Sequence, residues 1–498
     1  MKDEDSINQI NKDIKKDYKS LRNRLQSILL DNRFLKEKVV PFFPNYPLIP
    51  NERCGLWYCD PKDFEQTSYF KSTDGHINQW DFSTRRLNFH LLPTLKKHGG
   101  IIIVDSTRRG KKIPDALSKT VPIWCAVLNY IMLKSMVKFL TEDGQIDKNL
   151  ETDVLFVPPS TVPKSEFERM KQKIPLLEQK LEKLNIVDGR ELYKQFNGKL
   201  LRPIWVHPGS SLLESSIDPF TGEYTHETWE TPEDEDIIPI ILCTASYQAQ
   251  DGVDKRHGFT YVQGAADDHE LWSQGLDTKM FWANIDNFGD SDISEEVLKE
   301  YVADMIKEKL EHVSQLETEG VFPRLDRITD SLYLGKIVDG LQIGPKLLQL
   351  LNEKYSAVVI LSETCTIIDT ENKEKNSNID SNVIHLFNLQ SGSKRSSKEL
   401  RRRLQNIYPV IEKNLPIRGS EEQTKPVLIC CNSGTDMSIG VLLTVLCKNY
   451  NDDWTLQKPD SMNKIIIRKQ LTHLISHLKG RNVNPSRATL NSVNSFLM

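Results

Sequence analysis

The chain has 498 residues, of which 38% are hydrophobic and 27% are charged. This composition is typical of folded globular proteins and excludes a largely disordered chain, while the length predicts two or three domains rather than one core. The formal net charge of −4 offers polyanions no overall attraction, so a nucleic-acid partner would require local basic patches.

In the first half, strand-like runs alternate with helical periodicity, which predicts an α/β domain over residues 1–320. It opens with a helix over Ile7–Val40, whose inward residues are Leu21, Leu25, Ile28 and Leu29, and continues in a non-helical connection with prolines at 41, 44, 47 and 50. The predicted strands are Gly99–Asp105, Asp153–Val157, Pro203–Val206, Ile237–Cys243 and Gly258–Val262. The predicted helices are Pro114–Leu140, Lys164–Leu184 and Ser294–Glu317, and Ser215–Asp236 is expected to be an exposed loop.

The second half, residues 321–498, is expected to form another α/β domain of ordinary size. Its predicted strands are Ser331–Gly335, Ala357–Leu361, Val383–Leu386 and Pro426–Cys430. Helices are expected between the first two strands, from Ser397, and over Ile439–Cys447. The segment Thr370–Asn382, rich in Asn, Lys and Glu, is interpreted as a loop insertion.

The cysteines and the N-terminus bear on the compartment. The eight cysteines include no CxxC pair and no Cys/His cluster with zinc spacing, which favours a reduced intracellular setting. The first residues are charged and lack the apolar stretch of a signal peptide, and no apolar run is long enough to span a bilayer. We expect a cytoplasmic protein without a membrane segment, with the nucleus as the open alternative.

One motif in the second half joins a strand to a helix through a tight loop. Val427–Ser438 reads VLICCNSGTDMS, in which the candidate phosphate-binding residues are Cys431, Ser433, Gly434 and Ser438. Backbone N–H groups in such a loop and the following helix N-terminus form an anion cradle. The pattern resembles the dual-specificity phosphatase loop, and Ser331–Gly335 resembles the first strand of that fold.

The departures from the phosphatase pattern argue against a phosphatase. Met437 stands where the phosphate-clamping arginine is expected, and Asp436 is expected to add a negative charge inside the cradle. The region Leu389–Ser396, where the general acid should lie, contains no Asp or Glu. Because catalysis requires a bidentate arginine and an acid for the leaving group, Cys431 is predicted not to support phosphatase chemistry. One reading is a fold retained for packing with an inert Cys431.

The richest motif of the first half follows the strand that ends at Asp105. It offers Ser106 and Thr107, then Arg108, Arg109, Lys111 and Lys112 around one glycine, and Ser118 and Lys119 in the next helix. Hydroxyls, cations, close backbone approach and a carboxylate are what a polyphosphate loop requires. The segment matches no standard nucleotide motif, and a basic solvent-exposed loop is the alternative reading.

Two further segments carry candidate functional residues. Ile240–Ser246 opens from a strand into Thr244 and Ser246, a second possible phosphate cradle. Tyr261–Trp272 contains Asp267, Asp268, His269 and Glu270, which could bind magnesium or act as a base. The alternative is that Asp267 caps a helix and Glu270 completes a capping box.

Three phrases carry a resemblance to a known family. DSTRRGKKIPDALSKTVPIWCAVLN, CTAS and YVQGAADDHELW, followed by the altered phosphatase-like tail, resemble the fungal and plant initiator tRNA phosphoribosyl transferases. The resemblance runs from about Phe34 to Leu446. It implies a two-domain protein, with an N-terminal α/β transferase domain and a C-terminal dual-specificity-phosphatase-like α/β domain.

The resemblance also implies an activity. Members of the family transfer a 5-phosphoribosyl group from phosphoribosyl pyrophosphate to the ribose 2′-hydroxyl of adenosine 64 in the T stem of initiator methionine tRNA, which distinguishes this tRNA from elongator tRNA. Magnesium is the expected cofactor, held by Asp105, Asp267 or Asp268. The expected catalytic residues are Asp105, Arg108, Arg109, Asp268 and His269.

The remaining candidates concern phosphate and tRNA. The pyrophosphate is expected on Arg108, Arg109, Lys111 and Lys112, and the 5-phosphate on Ser246 and its neighbours or on Ser118 and Lys119. A phosphate-dominated grip on a tRNA stem is expected from basic side chains. These are Lys394, Arg395, Lys398, Arg401, Arg402 and Arg403, with Arg22 and Arg24 near the N-terminus, while a solvated helix face is the alternative for the basic run.

Two other functions are weighed against the transferase. A cysteine-dependent RNA or phosphoprotein phosphatase would use Cys431 and would hydrolyse phosphomonoesters. A non-catalytic tRNA-binding protein would retain tRNA without forming a covalent product and without needing magnesium.

Overall fold

The structure is a computed structural model of the 498-residue chain. It describes residues 17–52, 54–72, 80–84, 86–140, 154–184, 186–214, 216–217, 224–225, 228–231, 236–289, 293–313, 321–368, 383–389, 394–416, 425–451, 453–458, 461–478, 483 and 485–498. Within these ranges, the side chains of 137–140, 216–217, 224–225, 270, 308–313, 394–398 and 476 are outside the description.

The chain divides into two compact units, Met1–Ile306 and Lys307–Met498. The sequence places the division at 320/321, at the end of a predicted helix that the structure describes over Glu295–Val313. The expected insertion Thr370–Asn382 and the residues before 17 lie outside the described residues.

The first unit is built on a four-stranded parallel sheet. Its strands are β1 (Leu48–Pro50), β2 (Ile101–Asp105), β3 (Leu200–Val206) and β6 (Ile237–Thr244), in the order β1-β2-β6-β3. Both central strands consist mostly of Ile, Leu and Val and are buried on both faces, which is typical of parallel sheets. Short antiparallel pairs join β4 (Ser216–Ile217) to β5 (Tyr224–Thr225) and β7 (Val253–Arg256) to β8 (Phe259–Val262).

Helices cover both faces of this sheet and form two apolar cores. The described α-helices are Leu21–Phe34, Val40–Phe42, Gly55–Tyr58, Leu92–His98, Val121–Leu140, Lys164–Glu182, Gly189–Gln195, Thr278–Ala283, Ile285–Phe288 and Glu295–Val313. Short π-helical turns at Leu35–Val39 and Ala116–Thr120 adjoin three of them, and 3₁₀ turns lie at Phe89–Leu91, Ser211–Leu213 and His269–Leu271. Leu21, Leu25 and Ile28 are buried as predicted, whereas Leu29 is half-buried.

Two predictions of secondary structure in this unit are wrong. The described part of Asp153–Val157 forms no strand, although Val154 and Leu155 are buried in the core. Its apolar residues are buried by packing under the helices, which sequence periodicity does not distinguish from strand pairing. The proline-rich connection is partly regular, because Pro41 occupies the first turn of the short helix Val40–Phe42, where a missing N–H costs nothing.

The second unit contains a five-stranded sheet. Its strands are β9 (Arg324–Thr329), β10 (Leu332–Lys336), β12 (Ala357–Leu361), β14 (Ile384–Phe387) and β15 (Val427–Cys431). Their order is β14-β12-β15-β10-β9, and only β9 pairs antiparallel. A separate pair joins β11 (Gln342–Ile343) to β13 (Thr366–Ile367). The described helices are Pro345–Lys354, Lys394–Lys413, Met437–Asn449, Lys464–His477 and Arg487–Leu497.

One described helical stretch, Ala116–Met136, is long and apolar enough to span a bilayer by length and composition. It packs within the first unit, where 83% of its most apolar window is buried against the sheet and the helices Lys164–Glu182 and Gly189–Gln195. This burial is typical of a core helix.

Candidate functional site

Polar residues end all four parallel strands of the first unit. Pairing of Pro50 with Val104, of Asp105 with Thr244 and of Val206 with Cys243 brings Asn51, Asp105, Thr244 and His207 to one level at the carboxyl edge of the sheet. Open α/β sheets bind ligands outside the carboxyl ends of their strands. The candidate site is therefore at this edge.

Asp105 is held firmly at the end of β2. Its Oδ2 accepts a hydrogen bond from Asn51 Nδ2 at 2.8 Å, and its Oδ1 accepts one from the backbone N–H of Ser106 at 2.9 Å. Asn51 is fully buried, and its amide also bonds both backbone groups of Phe70. The orientation of the Asp105 carboxylate is thus set by a second strand end.

The buried hydroxyl of Tyr58 connects the loop after β2 to the loop after β8. The Tyr58 hydroxyl accepts hydrogen bonds from Ser106 Oγ at 3.0 Å and from the backbone N–H of Ala266 at 3.2 Å. Burial raises the pKa of Tyr58 well above its usual value, and the charge of Asp31 raises it further, so the phenol stays protonated. The loops after β2 and β8 therefore share one buried anchor.

Arg108 lies between two carboxylates of the predicted acidic segment. Its Nη1 is 2.7 Å from Asp268 Oδ2 and 3.0 Å from Asp267 Oδ2. Partial burial alone would lower the pKa of Arg108, but the hydrogen bond to Asp268 and the charge of Asp267 raise it overall. The alternative reading, in which Asp267 caps a helix, is wrong, because the residue at the N-cap of the turn His269–Leu271 is Asp268. The side chain of Asp268 forms no capping hydrogen bond.

These residues border a small pocket. The pocket is lined by Cys54, Ser72, Asp105, Ser106, Thr107, Arg108, Pro114 and Asp267. Ser246, from the end of β6, lies behind this lining, where its hydroxyl bonds the backbone N–H and carbonyl of Thr107 at 3.2 and 3.1 Å. The three predicted segments of the first half thus converge on one place.

Beyond the pocket, the basic loop points toward solvent. Arg109 and Lys112 are exposed and form no ion pair with a described residue, whereas Lys111 lies 3.6 Å from Asp115. Lys112 also acts on His207, whose pKa is lowered by burial despite a hydrogen bond to the Pro208 carbonyl, and further by the lysine charge. The loop therefore carries two exposed cations, one and four positions after the pocket-lining Arg108.

Four other predicted site residues are buried or engaged with other side chains. Ser118 and Thr244 are fully buried, so their assignment to phosphate binding is corrected. Lys119 is engaged with Glu166 at 2.9 Å rather than free for the 5-phosphate. His269 is half-buried, and its ring lies 5.9 Å from the ring of Trp57, so it faces an aromatic cluster.

In the second unit, the cysteine loop folds in on itself. Cys431 is 2% exposed, and its Sγ lies 3.0 Å from Ser438 Oγ and 3.5 Å from Ser433 Oγ. The backbone N–H of Gly434 donates to the same sulfur at 3.2 Å. The groups that would cradle a phosphate are thus directed at the thiol, and Ser438 is itself buried.

The two residues that depart from the phosphatase pattern are also structural. Met437 is buried in the apolar core of this unit, so its side chain packs there and not at the loop opening. The prediction that Asp436 places a charge in the cradle is wrong. Its Oδ1 accepts hydrogen bonds from the Ser486 N–H at 2.8 Å and Thr489 Oγ1 at 2.6 Å, which fastens the last helix.

The predicted tRNA-contacting cations differ in exposure. Arg401 and Arg402 are exposed on the helix Lys394–Lys413, while Arg403 bonds Glu399 at 3.0 Å. The side chains of Lys394 and Arg395 lie outside the described residues. Arg24 is not a surface cation, because it is 4% exposed and donates to the Ala265 carbonyl at 2.6 Å.

The predicted metal ligands are close to the pocket without forming a complete set. Among the described residues, no group of three or more His, Cys, Asp or Glu side chains is arranged to hold a metal ion. Magnesium is commonly bound through one or two protein carboxylates together with substrate phosphates, and Asp267 and Asp268 offer two adjacent carboxylates. The donor set therefore fits a magnesium ion that arrives with a polyphosphate.

Four residues of the site were missed from the sequence: Asn51, Tyr58, His207 and Gln263. Gln263 lies in the phrase YVQGAADDHELW, whereas Asn51, Tyr58 and His207 belong to no recognisable motif. Asn51, Tyr58 and Gln263 act through partners far along the chain. The available signal was a polar residue directly after a predicted strand, which would have pointed to His207 and Gln263.

Known proteins resemble this chain along nearly all of its length. Residues 14–307 match the family described as the Rit1 N-terminal domain, and residues 383–497 match the Rit1 DUSP-like domain. The tRNA A64-2′-O-ribosylphosphate transferase of Saccharomyces cerevisiae is 60% identical over 99% of this chain and 95% of its own length. The chain belongs to the Rit1 family.

A second relative is more distant. An uncharacterized protein of Schizosaccharomyces pombe is 39% identical over 53% of this chain and 52% of its own length. Family membership confirms the resemblance inferred from the three sequence phrases. It also confirms the predicted fold class, since an α/β unit is followed by a dual-specificity-phosphatase-like unit.

Proposed function

We propose that this protein transfers a 5-phosphoribosyl group from phosphoribosyl pyrophosphate to the ribose 2′-hydroxyl of adenosine 64 in initiator tRNA. The observation that carries the proposal is 60% identity, over nearly the whole of both chains, to a tRNA A64-2′-O-ribosylphosphate transferase. The pocket of the first unit supports it, because its lining combines the cation Arg108 with the fixed carboxylates Asp105 and Asp267.

The leaving pyrophosphate is the part of the donor that the cations address. Negative charge grows on it as its bond to the anomeric carbon breaks, and preorganised cations stabilise such charge. Arg108 lines the pocket, and Arg109 and Lys112 are exposed on the loop that follows it. We assign these three side chains to the pyrophosphate, with Asp267 and Asp268 holding Arg108 in position.

Magnesium, when bound with the donor, would neutralise part of the pyrophosphate charge. Asp267 and Asp268 are the carboxylates proposed to hold it, since both lie at the side chain that we assign to the pyrophosphate. The hydroxyls of Ser106 and Thr107 remain the candidates nearest to the rest of the donor, as both residues line the pocket.

Asp105 is the proposed proton acceptor. The new bond joins the 2′-oxygen to the anomeric carbon, the bond from that carbon to pyrophosphate breaks, and pyrophosphate leaves with the electron pair. The 2′-hydroxyl proton passes to the Asp105 carboxylate, which also faces the positive charge that develops on the sugar. A carboxylate fixed by Asn51 needs little reorganisation for both roles.

For the tRNA, we propose contacts dominated by the phosphate backbone. Arg401 and Arg402 are exposed cations on a regular helix, suited to such contacts. In double-stranded RNA the 2′-hydroxyls lie in the accessible minor groove, so an enzyme can reach its acceptor without reading base edges in the major groove.

The test is transfer of radiolabel from phosphoribosyl pyrophosphate, labelled in the ribose, to purified tRNA in the presence of magnesium. Initiator tRNA should become labelled, whereas elongator methionine tRNA and initiator tRNA with a 2′-O-methyl group at adenosine 64 should not. Omission of magnesium should reduce the rate. Stable tRNA binding without labelling would instead favour a non-catalytic tRNA-binding protein.

A further inference from the structure

The side-chain amide of Gln263 forms three hydrogen bonds to backbone groups of two other loops, two of them to the basic loop. Its side chain is fully buried, directly after β8. The Oε1 atom accepts from the backbone N–H of Gly110 at 2.8 Å and of Ala249 at 3.1 Å, and Nε2 donates to the Lys111 carbonyl at 2.7 Å. One amide thus connects the loop after β2 to the loop after β6.

The loop needs such support because its backbone is unfavourable on its own. Arg109 and Gly110 have φ angles of +57° and +70°, two consecutive left-handed residues. For a residue with a Cβ atom, this left-handed conformation is unfavourable. Arg109 is also exposed, so its own packing does not hold the turn. The buried amide of Gln263 bonds both residues that follow Arg109.

The segment after Gln263 touches the same loop again. Gly264 has a φ of +66°, and a Cβ atom there would lie 2.8 Å from the Thr107 carbonyl oxygen and 3.0 Å from Arg108 Cβ. Asp267 and Asp268 then pair with the Arg108 guanidinium. Residues 263–268 therefore hold the loop backbone at one end and its pocket-lining arginine at the other.

We propose that Gln263 is a positioning residue that sets the conformation of the cationic loop 108–112 for the pyrophosphate of the donor. This proposal rests on the proposed function, because it takes that loop as the pyrophosphate site. Gln263 itself contacts neither donor nor tRNA, since it is fully buried.

The expected consequence is a defect in donor binding. Gln263→Leu removes all three hydrogen bonds, and Gln263→Glu keeps the acceptor while opposing the Lys111 carbonyl with a second oxygen. Both should raise the KM for phosphoribosyl pyrophosphate about tenfold to hundredfold, because the loop already binds the pyrophosphate before its bond breaks. They should lower kcat by a smaller factor, because negative charge grows on the same group in the transition state. The Kd for initiator tRNA should not change.

The matched control is Gln248→Leu. Gln248 is exposed and donates one hydrogen bond to the same loop, to the Gly110 carbonyl at 2.7 Å, so its loss should raise the KM far less. Melting temperature and far-ultraviolet circular dichroism establish folding for each variant. Should Gln263→Leu fail to fold, Gln263→Glu, which is nearly isosteric, provides the comparison.

Binding of inorganic pyrophosphate with magnesium, measured by calorimetry, separates this proposal from the proposed function. Folded Gln263 variants that bind pyrophosphate about tenfold or more weakly than the unsubstituted protein support the positioning role, even if no transfer to tRNA is observed. Folded variants with an unchanged pyrophosphate Kd and an unchanged donor KM would overturn it.

Discussion

The two units place a loop at the same position, after a buried parallel strand and before a helix, yet the loops have opposite character. The loop after β2 directs Arg108 between Asp267 and Asp268 at a pocket and exposes Arg109 and Lys112. The loop after β15 turns its hydroxyls onto a buried thiol.

The difference lies in where the polar groups find partners. In the second unit, Asp436 fastens the last helix and Met437 joins the core, so neither is available to a ligand. In the first unit, buried Asn51, Tyr58 and Gln263 satisfy the backbone and the carboxylate from behind, which leaves cations facing outward. Of these two loops, the one suited to bind a ligand is therefore the one whose backbone is bonded by buried side chains and whose cations remain accessible.

The largest effect that would sharpen this comparison is expected from Arg108→Ala. Loss of a cation that meets the leaving pyrophosphate should lower kcat/KM for transfer about 100-fold or more. Steady-state rates at varied donor concentration measure this. The matched control is Arg33→Ala, an exposed arginine of the same unit that pairs with Glu37 at 3.9 Å, which should retain activity. Equal activities of the two variants would contradict the assignment.

Asn51→Ala is expected to act through Asp105, and its effect should be smaller. Without the 2.8 Å hydrogen bond, the carboxylate loses its fixed orientation, and kcat should fall about tenfold. Asp105→Asn sets the upper limit, because it removes the proton acceptor itself and should lower kcat about 100-fold or more. If Asn51→Ala lowered kcat while Asp105→Asn did not, Asp105 would not be the acceptor.

Glu295→Gln tests the support of the first unit through its stability. Glu295 accepts hydrogen bonds from Ser20 Oγ and from the N–H groups of Leu21 and Arg22, at the start of a helix that packs against the β8 segment. Partial burial alone would raise the pKa of Glu295, but these bonds and Lys299 lower it below its ordinary value. The substitution should therefore cost about 1 kcal/mol near neutral pH.

The pH dependence of that cost has a definite sign. A carboxylate with a lowered pKa stabilises the fold above the pKa of the unfolded chain, and the contribution is lost as pH falls through the folded pKa. The difference in melting temperature between the wild type and Glu295→Gln should vanish in acid. The control is Glu296→Gln, an exposed neighbour of Glu295 in the helix Glu295–Val313. A cost of Glu295→Gln that does not depend on pH would contradict the account.

The smallest effect is expected from Cys431→Ser. Since the thiol is buried among the hydroxyls of Ser433 and Ser438, transfer should change less than about twofold. The same protein should show no hydrolysis of aryl phosphates before or after the substitution. A large loss of transfer, with an unchanged melting temperature, would break the comparison between the two loops.

The parts of the site that could be predicted are those where one short segment carries its own signal. Ile101–Asp105 is a continuous apolar run that ends in a carboxylate, and the cations follow directly, so strand, edge and loop were all visible. Asp267 and Asp268 stood out as adjacent charges after another strand.

What could not be predicted depends on contacts between distant segments. Asp436 reads as a charge in a phosphate loop until the residues at 486 and 489 pack beside it. Gln263 bonds Gly110 and Lys111 about 150 positions earlier, and no local pattern predicts these contacts. Ser118 reads as a hydroxyl in a basic motif, but the helical turn that contains it is buried on its side.

The most direct test of the central claim is a crystal structure of the protein with pyrophosphate and magnesium. The account predicts electron density for pyrophosphate beside Arg108, in contact with the loop cations Arg109 and Lys112, with the loop at Cys431 unchanged. Density for pyrophosphate in the loop Cys431–Ser438, with none beside Arg108, would contradict it.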